Sequence, residues 1–460
     1  MALRIFATIR ATAILISSLL ICSSFSATAY NDKPNILVIM ADDLGYGDVS
    51  FQGAEDVQTP NIDAIANHGL SLDQFYANST VCSPSRAAFL TGKYPDLAGV
   101  PGVVRQNKEN NWGYLDLNSK TVATQLKQLG YQTALIGKWH LGLESPNTPN
   151  ERGFDHFHGY LGDMMDDYWT HLRGGINWMR LNEKSIEPKG HATDVFTDWT
   201  KDYLASAAKS ENPFFLFLAY NAPHFPIQPP QEYLEKVKKH APQLKEKRAK
   251  NVAFVEHLDD AVGEVLNELD KLKLAHNTII IFTSDNGGAL KYGQSNGVLR
   301  GGKGDMFEGG LRVPTYVRWP ATIKPGQRSN SVFTLMDLAP TFLKLAGGEM
   351  KGDIDGVDMS PIFADKDYQA EDRTLFWMRK EGYKYSGLTY YAARKGDFKL
   401  VQNSPFQPLT FFNLNTDPLE TKAKGVGANK KFVDLRADLM KHIQKSGSVI
   451  WQNPENKEAE

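Results

Sequence analysis

Four short polar clusters stand at the ends of apolar runs along this chain: Asp42-Asp43, Lys138-Trp139-His140, His224 and Asp285-Asn286. Singly, each has an ordinary explanation, since an aspartate after a strand commonly makes a turn or caps a helix. Together they offer three carboxylates and an amide oxygen, a donor set suited to a hard divalent cation such as Ca2+. The lysine and the histidines suit an anionic substrate on which negative charge develops during reaction. A fifth feature is Cys82. The chain has two cysteines, Cys22 and Cys82. If Cys22 leaves with an N-terminal leader, Cys82 stands alone in an oxidising compartment without a disulfide partner. It is then either a buried, inert thiol or a group open to oxidation, and its neighbours must decide.

For these residues to meet, the runs that precede them must lie side by side. Asn35 to Met40, Tyr131 to Ile136, Pro213 to Tyr220 and Thr278 to Thr283 read as short, fully buried strands. Helical spacing over Thr121 to Leu129 and Val252 to Leu272 supplies crossovers. Buried strands joined by helices predict an α/β fold, a large and mainly parallel sheet sandwiched by helices. In such a sheet ligands bind beyond the carboxyl ends of the strands, where the polar clusters stand. After about residue 345 the pattern changes. Leu375 to Met378, Tyr390 to Arg394, Phe398 to Val401 and Leu409 to Asn413 read as antiparallel strands, followed by a helix over Lys431 to Ile443. The expected organisation is a leader over 1–29, a catalytic domain over 30–350 and a smaller C-terminal α+β domain over 351–460. Residues 144–192 show little periodicity but many aromatic, His and Gly residues. A long irregular insertion of this kind is usually functional, and Met164, Tyr168, Trp169, His171, Arg173 and Trp178 are its candidate substrate-binding walls.

The chain begins with Arg4 and Arg10, an apolar stretch from Ala11 to Phe25, and Ala27-Thr28-Ala29. That is the plan of a cleaved signal peptide and predicts export to the periplasm or the medium. Nothing downstream is apolar for long enough to span a bilayer. Loss of residues 1–29 takes two arginines and no acid, leaving 49 basic residues against 53 acidic. This excludes a general nucleic-acid binder, which needs a basic face, but not a local cationic pocket. Gly297 to Lys303 approaches a phosphate-binding loop, yet Gly304 replaces the metal-binding Ser/Thr. Asn78-Ser79-Thr80 is formally a glycosylation site, but a glycan there would crowd Cys82.

The neighbourhood of Cys82 is the most specific part of the sequence. Cys82-Ser83-Pro84-Ser85-Arg86-Ala87-Ala88-Phe89-Leu90-Thr91-Gly92 resembles the signature of the type I sulfatases, of the alkaline phosphatase-like superfamily, in which the cysteine of C-x-P-x-R is oxidised to formylglycine. Asn35-Ile36-Leu37-Val38 with Asp42-Asp43-Leu44-Gly45 is similar to that family's first strand and metal turn. Gly137-Lys138-Trp139-His140-Leu141-Gly142, Ser284-Asp285-Asn286-Gly287-Gly288 and Glu308-Gly309-Gly310-Leu311-Arg312-Val313-Pro314 extend the likeness. Arg394-Lys395-Gly396 and Asp417-Pro418-Leu419-Glu420 carry it into the tail. The stretch after Glu420 departs from the family pattern.

The resemblance implies a sulfuric ester hydrolase acting on a sulfated carbohydrate, with one Ca2+ held by Asp42, Asp43, Asp285, Asn286 and the oxygen of residue 82. It also implies a maturation enzyme as partner, to convert Cys82. Hydrated formylglycine would attack sulfur through one hydroxyl and expel sulfate by ionisation of the other, which splits one hard step into two. Arg86 would steady the hydrate. Lys138, His140 and Lys303 would clamp the sulfate, His224 with Lys303 would protonate the leaving alcohol, and His140 would accept a proton during sulfate release. Two rival readings remain at this level. One is a phosphomonoester or phosphodiester hydrolase of the same superfamily, with Ser or Thr as the usual nucleophile. The other is a glycan-binding protein with an unmodified Cys82.

Overall fold

A computed structural model describes residues 33–106, 114–382, 387–424 and 429–449. The segment read as a signal peptide, with Cys22, lies outside the described residues. In chain order the strands are β1 (Asn35–Ala41), β2 (Leu70–Tyr76), β3 (Gln132–Lys138), β4 (His156–Tyr160), β5 (Leu172–Arg173), β6 (Ile176–Asn177), β7 (Met179–Leu181), β8 (Lys184–Ser185), β9 (Phe214–Ala219), β10 (Thr278–Ser284), β11 (Tyr316–Arg318) and β12 (Gln327–Thr334). The helices are α1 (Pro60–Asn67), α2 (Cys82–Thr91), α3 (Val122–Gln128), α4 (Ala192–Ala207), α5 (Gln231–His240), α6 (Glu246–Lys271), α7 (Glu308–Leu311), α8 (Leu338–Leu345) and α9 (Lys430–Ser446).

Ten of these strands form one sheet in the order β12-β2-β11-β10-β1-β9-β3-β4-β7-β8. Its centre, β10-β1-β9-β3-β4, is wholly parallel. The flanks turn it into a mixed sheet, because β11 runs antiparallel to both neighbours and β7 and β8 close the far edge antiparallel. The central strands read as continuous apolar runs because both of their faces are covered. Leu37, Ile39, Leu216, Leu218, Ile280 and Phe282 pack in one core with residues of α1, α4 and α6. Their alternates Ile36, Val38, Phe215, Phe217, Ile279 and Ile281 pack in a second core with α2, α3 and α8. This is the period-two pleat of strands buried on both sides.

A second sheet comprises β13 (Leu375–Lys380), β14 (Thr389–Lys395), β15 (Phe398–Gln402) and β16 (Thr410–Asn413), all antiparallel. One face, with Leu375, Trp377, Ala392 and Val401, packs on Tyr76, Tyr94, Met306 and Met336. The other, with Ala393, Leu400 and Phe411, lies under Phe432, Leu435 and Leu439 of α9. The 144–192 insertion is more ordered than its sequence suggests and contains β4 to β8. Strands of two to five residues are too short to show a period. None of the described helices is long and apolar enough to cross a membrane.

Candidate active site

Parallel pairing brings the polar clusters together at the carboxyl edge of the central strands. Ala41 is in register with Ser284 and Met40 with Ala219, which itself pairs with Gly137. Asp42 and Asp285 are therefore the next residues on adjacent strands. Lys138 ends β3, and His224 follows β9. Gly137 matters to this placement. Its φ is +101°, and a Cβ there would fall 2.0 Å from the carbonyl oxygen of Ala219. Asp43 and His140 also take left-handed φ values, 66° and 60°, which are uncommon outside glycine and cluster at functional sites.

Cys82 is the first residue of α2 and 2% exposed. The residue before it, Val81, is extended and offers no side-chain cap, and an uncapped helix start favours negative charge. Arg86, one turn further on the same face, donates from Nε and Nη2 to Asp285 Oδ2 at 3.0 and 2.7 Å, and from Nη1 to the Lys138 carbonyl at 3.0 Å. Lys138 Nζ lies 2.5 Å from Asp42 Oδ2, while the Cys82 thiol lies 3.2 Å from Asp42 Oδ1. Lys303 Nζ stands 2.7 Å from Asp43 Oδ1 and 3.6 Å from Cys82 Sγ. His224 Nε2 is 3.5 Å from Asp43 Oδ2, and its Nδ1 is 2.6 Å from the Phe225 carbonyl. That contact requires the proton on Nδ1, which leaves Nε2 as the exchangeable position facing the acids.

Burial works to push Asp42 up, yet Lys138, His224, Arg86 and Lys303 hold it far below the usual carboxylate range. Burial and neighbouring Asp42 push Asp285 up to about 6. Burial, then Asp42, pushes the Cys82 thiol well above its ordinary value. Burial, Lys138 and Arg86 hold His140 well below its own, and burial with Lys303 lowers His224.

The donor set fits a hard cation. Asp42, Asp43, Cys82 and His224 each present a ligand atom within 4.8 Å of the others. Asn286 Nδ2 donates to Asp43 Oδ1 at 2.8 Å, and its buried Oδ1 has no hydrogen-bond partner. A buried amide oxygen left over beside carboxylates is suited to ligation. A second grouping, His191, Asp194 and His257, is different in kind. His191 Nδ1 accepts from Thr193 N at the start of α4, and Nε2 faces the Gln228 carbonyl at 3.1 Å. Both ring nitrogens are committed to structure.

Above the cluster opens a cavity of about 560 Å3, lined by Cys82, His140, His224 and Lys303 among others. Lys138 and Arg86 lie beneath it, fully buried. Of the substrate walls expected from the insertion, Met164 and Arg173 line the cavity. Tyr168 does not. It is 1% exposed, stacks on His191, and donates to the carbonyls of Asn221 and His224. His171 is likewise buried, with Nε2 against the Gly190 carbonyl, and Trp178 packs against both cores of the large sheet. None of these three lines the cavity, where the sequence had placed them; Tyr168 and Trp178 pack into the core and His171 is buried. Trp169 is half exposed and outside the lining. The reading of the sequence missed Arg105, Phe225, Tyr292, Arg379 and Glu381, which also line the cavity. Phe225 directly follows His224, and that adjacency was the one available signal. Asn78 is fully buried with its Oδ1 accepting from Met336 N, so the glycosylation motif is closed in the folded chain.

A parallel-centred sheet carrying acids, lysines, histidines and a helix-start residue at one edge defines a hydrolase of anionic esters. Residues 34–348 match the Sulfatase family, and residues 302–448 match the C-terminal region of N-sulphoglucosamine sulphohydrolase. The N-acetylgalactosamine-6-sulfatase of Sus scrofa is 33% identical over 401 residues, covering 82% of this chain and 73% of that protein. Arylsulfatase H of Homo sapiens is 31% identical, covering 75% of each. Among solved structures, Ps i-CgsB in complex with k-i-k-neocarrahexaose superposes with a TM-score of 0.83 at 30% identity, over 92% of this chain and 96% of that one. The chain belongs to the sulfatase family and is a sulfuric ester hydrolase.

Proposed function

We propose that this chain is an exported, calcium-dependent carbohydrate sulfatase whose nucleophile is made from Cys82 by conversion to formylglycine. The observation that carries the reading is the position of Cys82. It sits at the floor of the cavity and the start of α2, between Asp42 and Lys303, with Arg86 one turn behind. Asp42, Asp43, Asp285 and Asn286, with the oxygen of residue 82, would hold Ca2+. When bound, the ion polarises a sulfate oxygen and favours the ionised nucleophile. The hydrated aldehyde supplies an attacking hydroxyl and a second one to expel sulfate.

The remaining work falls to the side chains. Arg86 fixes Asp285 and the turn of α2 that carries residue 82. Lys138 sets Asp42 from below, so its charge reaches the bound sulfate through the metal carboxylate. Lys303 stands in the cavity wall and clamps the sulfate directly. His224 Nε2, with Lys303, delivers a proton to the leaving oxygen. His140 lines the cavity with an unpartnered, buried Nδ1, while its Nε2 is held by the Val104 carbonyl at 2.9 Å. That nitrogen is the proton acceptor for sulfate release. Of the insertion residues, Arg173 binds substrate. The stacked pair Phe225 and Tyr292, 4.2 Å apart at 17°, provides an aromatic wall of the kind that seats a sugar ring.

A sulfated carbohydrate as substrate is supported by what the relatives are named for, N-acetylgalactosamine-6-sulfate in one and a bound neocarrahexaose in another. Export to the periplasm or medium rests on the N-terminal segment, and a maturation enzyme on the Cys82 motif. We take 30–350 as the catalytic domain and 351–460 as a smaller domain that completes the cavity wall.

The test is to produce the protein alongside a formylglycine-generating enzyme and weigh the tryptic fragment carrying residue 82. A mass about 18 units below that of cysteine, with sulfate release that Cys82→Ala abolishes, is expected. An unmodified thiol in fully active protein would sink the formylglycine assignment.

A further inference from the structure

The turn after β9, residues 221–225, carries His224 and is held at each of its five carbonyls. The Asn221 oxygen accepts from His224 N at 2.9 Å and from the Tyr168 hydroxyl at 2.7 Å. The Ala222 oxygen accepts from Asp42 N at 3.1 Å, and the Pro223 oxygen from Gln294 Nε2 at 2.9 Å. The His224 oxygen accepts from the Tyr168 hydroxyl at 3.0 Å, and the Phe225 oxygen from His224 Nδ1 at 2.6 Å. The last of these bonds aims the imidazole. The direction of Nε2 follows from where the Phe225 carbonyl stands, so the path of the turn decides where the exchangeable nitrogen points.

Two of these donors are side chains from distant parts of the chain, and neither lines the cavity. Tyr168 reaches the turn from the insertion. Its ring stacks 5.2 Å from His191 and meets Phe254 edge-on at 4.9 Å. Phenylalanine would fill that space as well, and a buried hydroxyl is costly unless it is bonded, so packing alone does not account for a tyrosine. The hydroxyl bridges the two ends of the turn. Burial, then Asp42 and Asp43, keeps the phenol well above its ordinary value, which leaves it a donor at any working pH. Gln294 is buried, and its Oε1 accepts from Ala289 N at 2.5 Å. That bond fixes the amide so that Nε2 faces the Pro223 oxygen.

Resting on the reading of His224 as proton donor to the leaving oxygen, we propose that Tyr168 and Gln294 are its positioning residues, holding the 221–225 turn so that Nε2 stays aimed at that oxygen. The insertion thereby serves the reaction from beneath the cavity as well as from its wall. The consequence is selective. When the S–O bond breaks, its electron pair stays on the leaving oxygen, and a sugar alkoxide needs a proton at that moment. A nitrophenolate departs without one. Loosening the turn should therefore harm turnover of sulfated sugars and spare an aryl sulfate.

The test uses the full, matured chain with 4-nitrophenyl sulfate and a panel of monosulfated hexoses and hexosamines. Tyr168→Phe should lower kcat on the sugars about 10- to 100-fold, leave KM nearly unchanged and spare the aryl sulfate. Gln294→Met should do the same in smaller measure, and it carries the comparison should Tyr168→Phe fail to fold. Tyr220→Phe loses a buried hydroxyl contact with Thr197 at 2.8 Å, one residue before the turn. It should share any drop in melting temperature but not the selectivity. On the sugars alone, adding Tyr168→Phe to His224→Ala should cost nothing further, because a positioning residue acts only through the group it positions. Losses that multiply in the double variant, equal losses on both kinds of ester, or full sugar activity in Tyr168→Phe would each overturn the proposal. Equal losses on both kinds of ester in His224→Ala itself would instead bring down the proton-donor reading beneath it, and no sulfate release from any probe by matured wild type would bring down the sulfatase reading.

Discussion

At residue 82 the surroundings oppose a thiolate. Burial and Asp42 keep the thiol protonated, so an unconverted cysteine would be a poor nucleophile at neutral pH. A hydroxyl in the same place faces Lys303 and the acid cluster, but a serine lacks the second hydroxyl needed to release sulfate. Cys82→Ser, made in a host without a maturation enzyme, should therefore turn over at most once. Intact mass should show the protein heavier by about 80 units, one sulfuryl group, without steady release; multiple turnovers would contradict the two-hydroxyl route. Lys303→Ala should lower kcat on the order of 10^2- to 10^3-fold, the usual cost of removing a preorganised charge from an anionic transition state. Its melting temperature should change little, since Lys303 is partly exposed. Chelation should abolish activity and Ca2+ restore it more fully than Mg2+, because the donors are numerous oxygens in an irregular set; undiminished activity in strong chelator would refute the metal assignment. Why these residues were legible and others were not follows from where they lie. Asp42, Lys138, His224 and Asp285 each adjoin an unmistakable buried strand, and Cys82 carries its own motif. Arg105, Arg379 and Glu381 meet across some 270 residues of chain, with no local pattern to announce them. In 164–178 the composition marks an unusual segment without saying which aromatics face the cavity.

At the scale of elements, four of the five central strands, β1, β3, β9 and β10, were readable because helices cover both faces and demand unbroken apolar runs. Their observed limits differ from expectation by a residue or two, as strand ends do. β2, with Asp73 and Gln74 in Leu70–Tyr76, and β12, with alternating exposure, lack that signature and were not read. Helix α6 begins at Glu246, earlier than Val252, because Glu246, Lys247, Arg248 and Lys250 make its first turn and a half mostly charged, with no large apolar residue to mark a helical period. The tight pairing of β3 and β9 gives this level its prediction. Gly137→Ala would place a methyl group 2.0 Å from the Ala219 oxygen in a left-handed backbone. The strands would have to separate, at a cost on the order of 2–4 kcal/mol, and Lys138 would leave Asp42. Both a lower melting temperature and a lower kcat are expected; a variant that melts normally and works normally would show that this junction does not position the site.

Across the whole molecule, the small sheet is tied to the large one by a buried network as well as by apolar contact. Tyr76 of β2 donates to Glu308 Oε2 at 2.7 Å, and Lys399 of β15 donates to Glu308 Oε1 at 2.8 Å. Lys399 also lies 2.9 Å from Glu420 Oε1, while Glu420 Oε2 accepts from Glu308 N at 2.7 Å. One ammonium thus serves two buried acids. Against the effect of burial, Lys399 and Arg394 hold the Glu308 carboxyl down at about 2, whereas burial pushes Glu420 up. A carboxyl whose folded value is depressed stabilises the fold fully above its ordinary value of 4.5 and loses that contribution as pH falls toward about 2. Glu420 runs the other way and takes its proton first, so within this network the stability lost on the acid limb between 4.5 and 2 is the contribution of Glu308. Glu308→Gln should flatten that limb in chemical unfolding followed by circular dichroism. Lys399→Met should do more, removing the ammonium shared by two buried acids at a cost of about 3–5 kcal/mol at neutral pH, partly recovered on mild acidification as Glu420 becomes neutral. An acid limb unchanged by either substitution would place the bond between the two sheets in the apolar contacts around Trp377 and Tyr76 instead.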